Sequence, residues 1–92
     1  MPLKWTRLAL GSVEAEAARL ARENPQIAKR TVKRIHDAVR TLCKYPALGR
    51  PGRIPGTREL SVPAVPYVVP YRVRDDHVEI LCLLHVARRH AS

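Results

Sequence analysis

Two stretches of the chain repeat their apolar residues every three or four positions, as an amphipathic helix does. The first stripe comprises Leu10, Val13, Ala17, Leu20 and Ala21. The second comprises Ala28, Val32, Ile35, Val39 and Leu42. Asn24-Pro25 separates them, and Asn suits an N-cap while Pro suits a first helical turn. The pattern therefore predicts helices from residue 9 and over residues 25–44, joined as an antiparallel hairpin.

The rest of the chain shows the shorter patterns typical of strands and turns. Residues 3–8, which alternate loosely, predict a first strand. Residues 45–57 hold three Pro and three Gly and predict a loop. Three further strands follow at residues 59–62, 67–74 and 77–86, the last two forming a hairpin across the turn Asp75-Asp76. Because Pro cannot donate to a strand ladder, we expect a distortion at Pro70.

The order of elements predicts one α+β domain over residues 1–92. Its order is β-α-α-β-β-β, with the helical hairpin packed on one face of a small, mostly antiparallel sheet. Regular alternation would place Val78, Ile80, Cys82 and Leu84 on one face of the last strand, and Leu81 and Leu83 on the other. A strand that is apolar on both sides is central or covered on both faces. Since the hairpin covers one face only, we expect the other to keep a partly exposed apolar surface.

The net charge of the chain indicates what kind of partner it binds. Seventeen Lys and Arg oppose eight Asp and Glu, giving +9 with His neutral. An excess of this size favours nucleic acid or an acidic protein as partner, with a merely solubilising surface as the alternative. A domain this small has a modest core, so we expect function on an open surface rather than in a deep pocket.

Other chemistry and locations find little support in the sequence. Cys43 and Cys82 indicate free thiols in a reducing cytosol, although their pairing remains open. The first ten residues lack the apolar core of a signal peptide, and no run approaches the roughly 20 apolar residues of a membrane span. The His and Cys residues lack metal-ligand spacing. We therefore expect a cytoplasmic protein without metal, cofactor or membrane partner.

Six motifs in order resemble the RelE/ParE family of bacterial type II toxins. They are a Trp in the first strand, "NP", "YPALGRPG", "GTREL", "PYVVPYRVRDDHVEIL" and "LLHVARR". The resemblance implies a toxin neutralised by a small cognate antitoxin, which wraps an acidic C-terminal segment over it. Operator DNA would be bound only through the antitoxin. The residues we expect to contact the antitoxin are Leu10, Val13, Leu81 and Leu83.

The family contains two functional classes. RelE-like members cleave messenger RNA on the ribosome, and ParE-like members inhibit DNA gyrase. RelE-like cutters usually carry a basic residue at the third-strand position that Val68 occupies here. Valine neither binds phosphate nor transfers a proton, so this departure favours the ParE-like class. If the chain does cut RNA, the resemblance and the chemistry of acid–base catalysis suggest Arg58, Glu59, Arg72, His85 and Arg88 as the catalytic set.

The ParE-like interpretation implies a basic surface that contacts gyrase. Its expected members are Lys33, Arg34, Arg40, Arg74, Arg88, Arg89 and His90. Simpler interpretations stay open for several of these candidates. His85 would be a structural side chain at a strand end, Arg72 and Arg74 the solvated face of a hairpin, and residues 88–89 a basic end.

Overall fold

The computed structural model describes residues 1–87, so the candidates Arg88, Arg89 and His90 lie outside the described residues. Two helices pack against a mixed sheet, which confirms the predicted α+β class. The elements are β1 Leu3–Trp5, α1 Arg7–Glu23, α2 Pro25–Arg40, a 3-10 helix Thr41–Cys43, β2 Arg50–Pro51, β3 Arg58–Ser61, β4 Tyr67–Val73, β5 Val78–Ile80 and β6 Leu84–His85.

Thr6 makes the first strand shorter and the first helix longer than the apolar pattern predicts. It has extended backbone angles, and its Oγ1 accepts a hydrogen bond of 3.1 Å from the Ala9 N–H, so it is the N-cap of α1. The same hydroxyl donates to the Ile80 carbonyl at 2.8 Å. This one side chain therefore ends β1, begins α1 and ties the helix to β5.

Asn24 acts as the predicted boundary between the helices. Its N–H donates to the Leu20 carbonyl at 2.8 Å, and its Oδ1 accepts from the N–H groups of Gln26 and Ile27. Pro25 then occupies the first turn of α2. The second helix ends at Arg40, where the 3-10 turn replaces the last part of the predicted span.

The sheet order is β1-β5-β4-β3-β2, with β1 parallel to β5 and the remaining pairs antiparallel. The segment predicted as loop contains β2, in which Arg50 lies opposite Glu59. This strand was not predicted because it has only two residues and lies in a segment rich in Pro and Gly. Tyr67, Val69 and Tyr71 face the helices and belong to the core. We call that side the helical face, and the opposite side the second face.

The predicted last strand is divided by a bulge. Tyr71 lies opposite Ile80, whereas Val68 lies opposite Leu84, so three steps along β4 match four along its partner. The extra residue falls within residues 81–83, next to Pro70, where the distortion was expected. It reverses the alternation, and Leu83 joins Val78 and Ile80 in the core. The predicted division of this strand into two regular faces is therefore wrong beyond Ile80.

Candidate functional site

Two of the catalytic candidates lie on the helical face. Arg58 lies opposite Tyr71, and its Nη1 donates to the Gly49 carbonyl at 2.8 Å and the Ala47 carbonyl at 3.4 Å. His85 lies opposite Tyr67, with the two rings edge to face and their centroids 5.3 Å apart. Arg58 thus holds a loop in place, and His85 packs at the end of the core.

The other two described candidates lie on the second face. Glu59 lies opposite Pro70 and is 6% exposed, and Arg50 Nη2 is 3.6 Å from its Oε1. Arg72 lies opposite Glu79, with Nη1 4.0 Å from the Glu79 Oε1. Strand alternation therefore assigns Arg58 and His85 to one face of the sheet and Glu59 and Arg72 to the other.

The hydrogen bonding of His85 supports the structural interpretation of this residue. Its Nδ1 accepts from the Ala87 N–H at 3.1 Å, which leaves this nitrogen occupied. The ring also contacts Tyr67, whose hydroxyl is bonded elsewhere. A general acid or base at this position would act through Nε2 alone.

Val68, at the position where RelE-like cutters carry a basic residue, is nearly inaccessible. It is 2% exposed and lies opposite Leu84 on the second face. A phosphate therefore has no basic side chain to meet at this point of β4, and the apolar side chain is part of the packing.

A groove of about 550 Å³ lies beside the bulged segment. Its lining residues are Ser12, Ala15, Glu16, Arg53, Ile54, Thr57, Glu59, Pro70, Leu81, Cys82, Leu83, Leu84 and His85. Because the bulged segment forms one wall, the groove is lined from both faces of the sheet. It thereby brings Glu59 and His85 to one surface, while Arg58 and Arg72 are not among its lining residues within the described chain.

A buried polar cluster that the sequence pattern did not reveal lies beside this groove. Tyr67 donates its hydroxyl to Glu16 Oε2 at 2.7 Å, and Arg19 Nη2 donates to the same oxygen at 3.1 Å. Glu16 is 8% exposed, although it is not a member of the predicted apolar stripe. Burial, followed by the bond to Glu16, raises the pKa of the Tyr67 hydroxyl. The bond to Glu16 also raises the pKa of the Arg19 guanidinium.

The four expected antitoxin contacts divide between surface and core. Leu10 is 48% exposed on α1, and Leu81 lines the groove. Val13 and Leu83 are 8% and 6% exposed and belong to the core, although Leu83 also lines the groove. Regular alternation and a simple helical stripe do not show which apolar residues the sheet covers.

The expected target-binding residues that the structure describes are all exposed. On α2, Lys33 Nζ is 2.7 Å from Asp37 Oδ2, and Arg40 Nη2 is 3.2 Å from Asp37 Oδ1. The bond from Lys33 is the main reason why the pKa of Asp37 is lowered. Arg74 Nη2 lies 3.7 Å from Glu79 Oε1. These ion pairs locally reduce the positive charge of the surface. Arg34, which is also exposed on α2, increases that positive charge.

Residues 1–87 contain neither a membrane-spanning helix nor a cluster of metal ligands. No described helix combines the length and the apolar character that crossing a bilayer requires. Within the same residues, no group of three or more His, Cys, Asp or Glu side chains is arranged to hold a metal ion.

Comparison with known proteins identifies the family. The family model described as the ParE toxin of the type II toxin–antitoxin system parDE matches residues 3–90. The chain belongs to the ParE toxin family of type II toxin–antitoxin systems. This confirms the RelE/ParE resemblance and implies a cognate antitoxin as partner of this ParE family toxin.

Two toxins and one solved structure are similar to this chain over most of its length. The toxin resembles Y4kP of Sinorhizobium fredii, a toxin candidate by name, with 46% identity over 90% of this chain and 85% of the relative. It is 36% identical to the toxin RelE2 of Caulobacter vibrioides, over 91% of this chain and 93% of the relative. A solved structure of the chromosomal ParDE system from P. aeruginosa matches with a TM-score of 0.85 and 31% identity, covering 94% and 96% of the two chains.

Proposed function

We propose that this toxin is a ParE-like inhibitor of DNA gyrase, which acts in the cytoplasm and is neutralised by a cognate antitoxin with an acidic segment. It acts by binding its target rather than by cutting RNA. The antitoxin carries operator DNA binding, and the toxin joins that complex only through it. The observation that carries the proposal is the separation of the catalytic candidates onto two faces of the sheet.

In-line attack on a phosphodiester needs its base, its acid and its phosphate-binding cation within reach of one substrate. Arg58, the cation expected near the phosphate, instead donates to backbone carbonyls of its own loop. Arg72 lies on the other side of the sheet, 4.0 Å from a carboxylate. This arrangement supports a toxin that uses its surface for binding.

The burial of Val68 supports the same proposal. A cutter needs a cation on the substrate-binding face, and here that position is an apolar side chain with 2% exposure. The exposed cations lie elsewhere, above all on α2, where Lys33 and Arg34 stand on one helix. Such a surface suits association with an acidic protein, since complementary charge accelerates and orients encounter.

The alternative function is ribosome-dependent cleavage of messenger RNA. One observation favours it, because Glu59 and His85 line the same groove together with Arg53. A carboxylate and an imidazole at one surface are a plausible acid–base pair. RNA reaching both would have to enter the groove around the sheet edge.

Two assays with the purified toxin separate these functions. We expect inhibition of gyrase-catalysed supercoiling while messenger RNA on translating ribosomes stays intact. Cleavage of ribosome-bound messenger RNA that is lost in His85→Ala and Arg72→Ala, without inhibition of gyrase, would refute the proposal. Charge reversal of α2 in the double variant Lys33→Glu/Arg34→Glu should raise the half-inhibitory concentration at least about tenfold. The double variant Arg7→Glu/Arg22→Glu, which reverses two exposed charges on α1, is the matched control.

A further inference from the structure

An exposed apolar turn is held rigidly at the surface by two side chains from the sheet. The turn comprises residues 45–48 and closes through a hydrogen bond of 3.0 Å from the Leu48 N–H to the Tyr45 carbonyl. Tyr45 and Leu48, at its two ends, are 63% and 55% exposed. We call this feature the Tyr45–Leu48 turn. It was expected to be only a connecting loop.

The backbone of this turn is fixed from below. Tyr71 donates its hydroxyl to the Pro46 carbonyl at 2.7 Å and accepts from the Gly49 N–H at 2.8 Å. Arg58 donates to the Gly49 carbonyl at 2.8 Å. A Cβ on Gly49 would lie 2.7 Å from Tyr71 Cε1, so the backbone is seated directly on that ring. The turn is thereby ordered before it meets any partner, which removes part of the entropic cost of binding.

Positive charge predominates in the segment that contains the turn. From Ala38 to Arg58 the chain carries Arg40, Lys44, Arg50, Arg53 and Arg58 and contains neither Asp nor Glu. Arg40 and Arg50 lie 3.2 Å and 3.6 Å from the flanking carboxylates of Asp37 and Glu59, so Lys44 and Arg53 are the exposed cations for which no ion pair is described. An aromatic and an aliphatic side chain in a basic segment have the composition of a protein interface, in which Tyr and Arg commonly contribute most of the binding energy. The partner that matches it is an acidic protein surface with an apolar centre.

The position of the turn indicates which partner protein binds to it. Among the described residues, the groove is lined by residues of α1, β4, β6, the bulged segment and residues 53–59, and by none of residues 45–49. If the antitoxin segment is seated in that groove, the Tyr45–Leu48 turn stays uncovered and is available to a second protein.

We propose that the Tyr45–Leu48 turn is a preformed contact surface for the protein target of this toxin. The inference rests on the proposed function, because it takes the target to be a protein. Tyr45 and Leu48 contact the target, and Tyr71 and Arg58 are positioning residues that hold the turn in its binding conformation. The surrounding cations match acidic residues on the target.

The test is the double variant Tyr45→Ala/Leu48→Ala, compared with Ile27→Ala. Ile27 is 46% exposed on α2, away from the turn, and is the control for losing an exposed apolar side chain. The measurements are supercoiling inhibition, growth arrest on expression and affinity for the cognate antitoxin. We expect the double variant to need at least about ten times more toxin for half inhibition, and to lose growth arrest. Its antitoxin affinity should stay within about twofold of the wild type, as should every property of Ile27→Ala.

Three results would overturn the inference. The first is a double variant that inhibits and arrests growth as the wild type does. The second is a parallel loss of antitoxin affinity, which would assign the turn to the antitoxin. The third is a wild-type toxin that neither inhibits gyrase nor arrests growth, which would overturn the proposed function as well. If the wild type arrests growth without inhibiting gyrase, only the gyrase proposal fails, and the growth assay with the antitoxin titration decides on the turn.

Discussion

Tyr71→Phe removes one hydroxyl group that holds the Tyr45–Leu48 turn to the sheet. The change keeps the aromatic ring in the core, so it creates almost no cavity. It deletes the bond to the Pro46 carbonyl at 2.7 Å and the bond from the Gly49 N–H at 2.8 Å. These two bonds join residues far apart in the chain, across the boundary between sheet and loop. The variant therefore measures how strongly the turn is fixed.

The expected cost follows from what the two backbone groups lose. The Gly49 N–H is buried, and leaving such a donor without an acceptor costs about 1–3 kcal/mol. The Pro46 carbonyl is only partly buried, so water can replace the phenol and the loss there is about 0.5–1 kcal/mol. We expect a decrease of about 1.5–4 kcal/mol in the free energy of unfolding. For a domain of this size, that lowers the melting temperature by about 6–30 °C.

The assay is equilibrium denaturation of the wild type, Tyr71→Phe and Tyr45→Phe. The last variant removes the same atom from a side chain that is 63% exposed, and its stability should change by less than about 0.5 kcal/mol. A Tyr71→Phe protein as stable as Tyr45→Phe would show that the hydroxyl does not hold the turn. In that case the rigidity argued for the Tyr45–Leu48 turn would lose its physical basis.

Three further predictions concern stability. Gly49→Ala places a methyl group 2.7 Å from Tyr71 Cε1, so it should lower the free energy of unfolding, measured by denaturation, by about 1–3 kcal/mol. As the control, Gly11→Ala adds a methyl group in open space on α1 and should raise the free energy of unfolding by about 0.5–1 kcal/mol. Burial raises the pKa of Tyr67 and Tyr71 above 10.0, so the folded protein holds these protons more tightly than the unfolded chain. Stability should be constant with respect to these groups below pH 10.0 and fall as the pH rises through their folded pKa values, and denaturation curves independent of alkaline pH would contradict this. Val68→Lys, at a position with 2% exposure, should cost about 3 kcal/mol or more without producing RNA cleavage, and a stable, RNA-cutting variant would refute our account of this position.

Local sequence signals were sufficient for the helical hairpin. The three- and four-residue repeats report one face of each helix, and Asn24 caps α2 through bonds to residues only two and three positions away. The start of α1 was misplaced because Thr6 acts both as a cap and as a donor to Ile80, a partner that local periodicity does not reveal. Boundaries fixed by distant partners are therefore the least predictable ones.

The buried cluster around Glu16 shows the same limit for chemistry. A Glu on a helix with charged neighbours is usually on the exposed side. No local pattern in the sequence indicates that Tyr67 bonds to Glu16. Tyr67, which donates to it, is 51 residues away along the chain. The signal that existed was the spacing of Glu16 and Arg19, three residues apart and able to pair on one side of α1.

The bulge before β6 connects the failure of the strand prediction with the proposed function. Continued without an extra residue, the register that pairs Tyr71 with Ile80 would place His85 opposite Pro66, on the second face with Glu59 and Arg72. The inserted residue instead places His85 opposite Tyr67, against the core. One residue in the bulge thus places the imidazole on the face of Arg58 and opposite to Glu59 and Arg72, and only the groove brings it to one surface with Glu59. The interrupted apolar strand contributes side chains to both faces of the sheet. It does not bring the complete set of catalytic candidates together on one face.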